Sequence, residues 1–142
     1  MGYTTQIAAE MIQTYRETEY RVGGDAPFVL TVGFTSPDLL REYARLGVQS
    51  CAFITACNPY SLPLSEVDNA QRDRDLSLLL QAQGFSSQAG LGQHPSNGWA
   101  GEPSQLVWGV ARDKACHIAN QFQQNAFVWA AEDGIPELIL LR

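Results

Sequence analysis

The chain is predicted to fold as an α/β-type (α+β) domain, a mixed or antiparallel sheet packed by about four helices. Three observations carry this expectation. Short apolar runs of strand length alternate with stretches of helical period over 142 residues, the size of one domain. Gly23-Gly24-Asp25 and Asp133-Gly134 each lie between β-rich segments, which predicts two hairpins and therefore antiparallel pairs. The run Cys51-Ala52-Phe53-Ile54 is too short for a helix and reads as a strand covered on both faces. With no internal repeat and no interdomain linker, residues 1–142 read as one domain.

The elements follow in order. Residues 3–17 have helical period, with Ile7, Met11 and Tyr15 four apart and Ala8 beside them. Thr18–Val22 and Phe28–Gly33 are the arms of the first hairpin. Ser36-Pro37-Asp38 is a helix start: a cap, a proline at the first helical position and an acid in the first turn. Gly47 closes that helix. Gln49–Ala56 is the buried central strand, and Asn58–Pro63 a loop marked by two prolines. Ser65, with Asp68 three residues on, starts a helix that runs to about Gln83 and stops at Gly84. Phe85–Gly101 reads as a short strand and then a loop, Gly92–Pro103. Gln105–Val110 is a strand, Asp113–Gln123 a helix, and Ala126–Ala130 and Glu137–Leu141 the second hairpin.

Composition narrows the function. A formal net charge of −6 works against a nucleic-acid surface, which needs a basic face. Arg72 and Arg74 are interleaved with Asp73 and Asp75. Three cysteines, Cys51, Cys57 and Cys116, match no zinc spacing and read as reduced thiols. Met1–Glu10 lacks the layout of a signal peptide, and no apolar run approaches about 18 residues, so neither secretion nor a membrane span is expected. A cytoplasmic location follows as the expectation. No cofactor is predicted: Gly90-Leu91-Gly92 lacks the third glycine and the lysine of phosphate loops, and His94 and His117 have no metal-ligand spacing.

The candidate site is the end of the buried strand and the loop after it, Thr55 to Ser61, with Asn58 and Pro59 between. Strand ends are where backbone amides and short polar side chains meet beside a rigid sheet. The plainer reading is a turn, which Asn-Pro commonly opens. In the next helix Asn69 and Arg72 fall on the stripe of Leu76, Leu79 and Leu80. Polar groups on a buried face need partners. Either an anionic ligand at the helix N-terminus supplies them, or Arg72 pairs with Asp68 four residues away. Trp99 and Glu102-Pro103-Ser104 form a second landmark. Glu102 reads as an ion-pair partner of Arg72 or as a general base. Gln124 either offers its amide to the site or satisfies the last carbonyls of a helix. Cys57 is a buried thiol or a nucleophile, and His94 is the one imidazole placed to act as acid or base.

Read together, Tyr15-Arg16-Glu17-Thr18-Glu19-Tyr20, Phe53-Ile54-Thr55-Ala56 with Asn58-Pro59 and Ser61, Asn69, Arg72, Trp99, Glu102-Pro103-Ser104 and Gln124-Asn125-Ala126 resemble the DUF3293 family, small bacterial proteins of unknown function. The resemblance covers nearly the whole chain. Members of that family usually carry a bulky residue where Cys57 stands, and many carry glycine where Gln123 stands. The resemblance supports the location of the site and implies no activity.

Three functions are open on the sequence. The first is a small-molecule binding domain for a nucleotide or other anionic metabolite, using Thr55, Asn58, Pro59, Ser61, Asn69, Arg72, Trp99, Ser104 and Gln124. The second is a hydrolase or transferase with Glu102 as catalytic base and Arg72 or Gln124 stabilising charge. The third is a protein- or RNA-interaction module using Trp99 and Trp108. Oligomeric state is not readable.

Overall fold

A computed structural model describes residues 5–142. Helix α1 (Ala9–Glu17) leads into the hairpin β1 (Glu19–Val22) and β2 (Phe28–Leu30). Then come α2 (Pro37–Leu46), β3 (Cys51–Thr55), α3 (Glu66–Ala82), β4 (Ser87–Gln93), β5 (Glu102–Trp108), α4 (Arg112–Gln121), β6 (Ala126–Ala130) and β7 (Pro136–Leu140). The seven strands form one sheet in the order β2-β1-β4-β5-β3-β6-β7. Every neighbouring pair is antiparallel, so the expected α+β class holds and its antiparallel form is the one adopted.

Both sheet faces are covered, which explains the unbroken apolar run of β3. On one face Cys51, Phe53, Leu106, Trp108 and Val128 pack with Leu39 and Tyr43 of α2. On the other, Ala52, Ile54, Val107 and Phe127 pack under Leu76 and Leu80 of α3 and Ala115, Ile118 and Ala119 of α4. Alternate β3 side chains serve the two cores, as a period of two demands. Among the described residues no helix is long and apolar enough to cross a membrane.

The sheet curls into a half-barrel toward the α2 face. Strands β1 and β3 stand three places apart, roughly 14 Å along a flat sheet at about 4.8 Å per step. Yet Tyr20 of β1 and Phe53 of β3 meet edge to face with ring centroids 5.2 Å apart. The Phe53 ring reaches across β4 because Gly90 has no side chain. A Cβ there would lie 2.7 Å from both the Phe53 ring and the Arg21 carbonyl.

The helix signals act as read. The Ser36 hydroxyl accepts the Leu39 N–H at 3.1 Å, Pro37 opens α2, and Gly47 ends it at φ +70°. The Ser65 hydroxyl accepts the Asp68 N–H at 3.1 Å. Several boundaries differ from expectation, among them α4, which closes at Gln121 and not Gln123, and β3, which spans Cys51–Thr55 and not Gln49–Ala56. The helix expected over 3–17 begins at Ala9. Tyr3 and Thr4 lie outside the described residues, while Thr5 bonds the Ile7 N–H and diverts the chain before α1. Strand β2 stops at Leu30, and Gly33, at φ +88°, bonds Pro136 instead. Strand β4 runs through Gly92 to Gln93, and β5 starts at Glu102. A proline inside β5 is tolerated because the Pro103 carbonyl, and so its missing N–H, points past the end of β3, which pairs no further than Thr55 with Ser104.

Candidate functional site

At the end of the sheet away from α2, on the same curled face, lies a cavity of about 70 Å³. Tyr20, Phe53 and Gly92 line it from the sheet, and Tyr15, Thr18, Thr55, Asn58, Ser61, Glu102, Ser104, Gln124 and Asn125 surround it. Glycine on β4 leaves the space; the chain ends around it supply the polar groups.

The loop after β3 builds one wall. Asn58, Tyr60 and Ser61 all lie in the left-handed region, at φ +48°, +53° and +61°. The Tyr60 N–H donates to the Gln123 carbonyl at 2.7 Å, and the Ser61 N–H to the Asn58 carbonyl at 2.8 Å. Asn58 is the hub. Its Oδ1 accepts from Asn69 Nδ2 at 2.8 Å and from the Leu64 N–H at 3.0 Å, while its own N–H donates to Asn69 Oδ1 at 2.9 Å. That clasp turns Asn58 Nδ2 onto Glu102 Oε2 at 2.7 Å. Glu102 is half-buried, and loss of hydration raises its carboxyl above the usual range, offset in part by the Asn58 bond.

The same loop joins a hydroxyl–amide cluster through Ser61. Tyr15 Oη and Ser61 Oγ share a bond of 2.6 Å, and Asn125 Nδ2 donates to both, at 3.1 and 3.3 Å. Arg142 donates to Asn125 Oδ1 at 3.3 Å and stacks on the Tyr60 ring at 4.1 Å, outside the lining. Gln124, buried, donates its amide to the carbonyls of Cys57 and Phe122 at 3.0 and 3.1 Å.

Six of the residues expected at the site line this cavity: Thr55, Asn58, Ser61, Glu102, Ser104 and Gln124. Four do not. Pro59 opens the turn. Asn69 holds Asn58. Trp99 is 52% exposed on the loop before β5. Arg72 does face inward, but its guanidinium braces the chain: Nε donates to the Ala56 carbonyl at 2.5 Å, and Nη2 to the Phe122 carbonyl at 2.5 Å and to Gln123 Oε1 at 2.9 Å. Neither the Arg72–Asp68 nor the Arg72–Glu102 pair occurs among the ion pairs of the described residues. Backbone carbonyls stranded at the end of β3 and of α4 attract the guanidinium instead.

Cys57 is buried, and burial pushes its thiol up to about 11, which suits packing and not nucleophilic attack. His94 lies outside the cavity, with Nδ1 accepting the N–H groups of Ser96 and Asn97 and Nε2 against Glu17 at 3.2 Å. His117 is exposed on α4. No group of three or more His, Cys, Asp or Glu that would hold a metal occurs among the described residues. Tyr15, Thr18, Tyr20 and Asn125 were not expected at the site. Tyr15 reads as helix stripe until the fold brings it to Ser61, and Asn125 carried a signal only as the neighbour of Gln124.

The fold and cavity define an α+β domain with a polar pocket at the open end of a curled antiparallel sheet. A family model described as a protein of unknown function (DUF3293) matches residues 54–127, just over half of the chain's 142, and the chain belongs to that family. Comparison with curated proteins and with solved structures yields no match. The matched span runs from the end of β3 to the start of β6 and so contains most of the cavity wall.

Proposed function

We propose that this protein is a small-molecule binding domain whose site is the cavity between Asn58, Glu102 and the Tyr15–Ser61 pair. One observation carries the reading. Polar side chains from α1, β3, the following loop, β5 and the α4–β6 connection converge on a single space. A cavity of about 70 Å³ is far below the roughly 300–1,000 Å³ of pockets that enclose a whole ligand. It therefore takes the polar head of a molecule, with the remainder outside. The anion expected from Arg72 loses its main support, because that guanidinium is occupied by carbonyls.

The test is ligand-observed NMR with a fragment set containing anions, cations and neutral polar heads. Hits that vanish when Ser104→Leu fills the cavity support the reading, provided the variant keeps the native fold by circular dichroism. A set that gives no hit, or only hits indifferent to that substitution, removes it. A second reading, a hydrolase or transferase with Glu102 as base, is favoured by a carboxyl raised by burial beside a cavity. It predicts a pH–rate profile that rises through the Glu102 ionisation and is abolished in Glu102→Gln. Either activity would sit in the cytoplasm, a placement supported by three unpaired cysteines.

A further inference from the structure

A count of hydrogen-bonding atoms around the cavity gives its chemical preference. Four lining hydroxyls have already given their protons to backbone carbonyls: Thr18 to Thr14 at 2.7 Å, Tyr20 to Tyr15 at 2.6 Å, Thr55 to Pro103 at 2.9 Å and Ser104 to Glu102 at 2.9 Å. The amide groups of Gln124 and Asn125 each make two donor bonds, so their protons are spent as well. Of the two protons on Tyr15 and Ser61, one lies in their mutual bond, and Asn58 Nδ2 gives one of its two to Glu102, so two side-chain protons of the lining stay free. Acceptors are in surplus. Glu102 Oε1 and Gln124 Oε1 have no protein donor among the described residues, and each of the four hydroxyls keeps a lone pair. The lining contains one carboxylate and no lysine or arginine. Tyr20 and Phe53 present aromatic surface below it.

An anion in such a space would meet a carboxylate and more open lone pairs than free donors. A group rich in N–H would find its natural partners. We propose that the head group bound here is a hydrogen-bond-donating cation, an ammonium or a guanidinium, with Glu102 as its counter-ion and Gln124 Oε1 as a second acceptor. The inference rests on the binding function proposed above. It assigns the ligand class opposite in charge to the one Arg72 had suggested. Charge-assisted bonds to carboxylates are the strong class, and a cation over an aromatic floor gains further.

The test follows backbone amide resonances by NMR while the wild-type protein is titrated at constant ionic strength with n-butylammonium, methylguanidinium, phosphate, acetate and acetamide. The expected result is saturable shifts at Asn58, Glu102 and Gln124 with the two cations, at least ten-fold tighter than with acetamide, and none with the anions. Glu102→Gln, which keeps an acceptor for Asn58, should weaken the cations at least ten-fold. Anions or acetamide binding at these residues as tightly as the cations would overturn the cationic assignment and leave the binding site standing. Equal cation affinity in Glu102→Gln would do the same. No saturable shift with any of the five probes would overturn this inference, while the fragment screen decides separately on the binding function. The wild-type comparison decides the ligand class even if the variant does not fold.

Discussion

Removing the Arg72 guanidinium tests whether the polar half of α3 supports the site or contacts a ligand. The side chain joins three segments: the end of β3 through Ala56, the end of α4 through Phe122, and Gln123 beyond it. Its guanidinium carbon also lies 6.0 Å from the Phe122 ring. Hydrogen bonds from a charged donor contribute about 1.5–3 kcal/mol each. Two carbonyls are at stake, but Phe122 keeps the Gln124 amide, so its loss counts for less. The Gln123 contact is exposed and adds little. Arg72→Ala is therefore expected to cost about 2–4 kcal/mol. With a urea m-value of about 1.5 kcal/mol/M, the unfolding midpoint should fall by roughly 1.3–2.7 M. Arg72→Lys cannot reach the separate carbonyls at once and should lose about half as much. Equilibrium urea unfolding followed by tryptophan fluorescence measures all three proteins. If Arg72→Ala lies within about 0.5 kcal/mol of wild type, the carbonyls are satisfied by water and the bracing argument is wrong.

Three further outcomes are expected. Burial raises the Glu102 carboxyl, so the proton favours the folded state; the stability this gives is fully present below the ordinary glutamate value of about 4.5 and is lost as pH rises through the folded value. Unfolding curves between pH 4 and 8 should show Glu102→Gln gaining on wild type as pH rises, and a constant difference would contradict the burial argument. Gly90→Ala should destabilise by about 1–3 kcal/mol in thermal unfolding, since its Cβ would meet the Arg21 carbonyl and the Phe53 ring at 2.7 Å; a neutral result would mean the curl is softer than described. A thiol-reactive chromophore at pH 8 should label Cys116 alone in the native protein and all three cysteines in denaturant, because burial pushes Cys51 to about 12 and Cys57 to about 11. Rapid native labelling of Cys57 would reopen its case as a nucleophile.

The elements of this fold were legible where local chemistry and tertiary demand agree. Ser36-Pro37 and Gly47 bracket α2 because cap and stop act within a few residues of themselves. β3 was legible because both its faces are buried. β5 was misplaced because Pro103 normally argues against an interior strand, and only the early end of β3 relieves it. The inward turn of Asn69 and Arg72 could be read from helical spacing, but their partners could not. Those partners are the backbone N–H and side chain of Asn58, the carbonyls of Ala56 and Phe122 and the side chain of Gln123, on segments 11 to 51 residues away. The same limit hid Tyr15 and Asn125, which meet across 110 positions. Gln123 shows the converse. Its φ of +53° lies in the left-handed region that favours glycine, the residue the family resemblance implies at this position.

The loop from Asn58 to Ser61 explains why so much polar structure is gathered behind the cavity. Three non-glycine residues in left-handed conformation cost about 1–3 kcal/mol each, and such strain persists only where the surroundings over-determine it. Here the Asn69 clasp, the Tyr60–Gln123 backbone bond and the Tyr15–Ser61–Asn125 cluster each fix one strained residue. An unstrained turn with apolar packing would have closed β3 to α3 without any of them. What the strained form gains is position: Asn58 Nδ2 directed at Glu102, and Ser61 Oγ directed at Tyr15. Arg72 and Asn69 belong to that arrangement as supports. Their inward polarity reflects a loop held in a conformation it would not otherwise keep, with Glu102 Oε1 and Gln124 Oε1 left without a protein donor among the described residues.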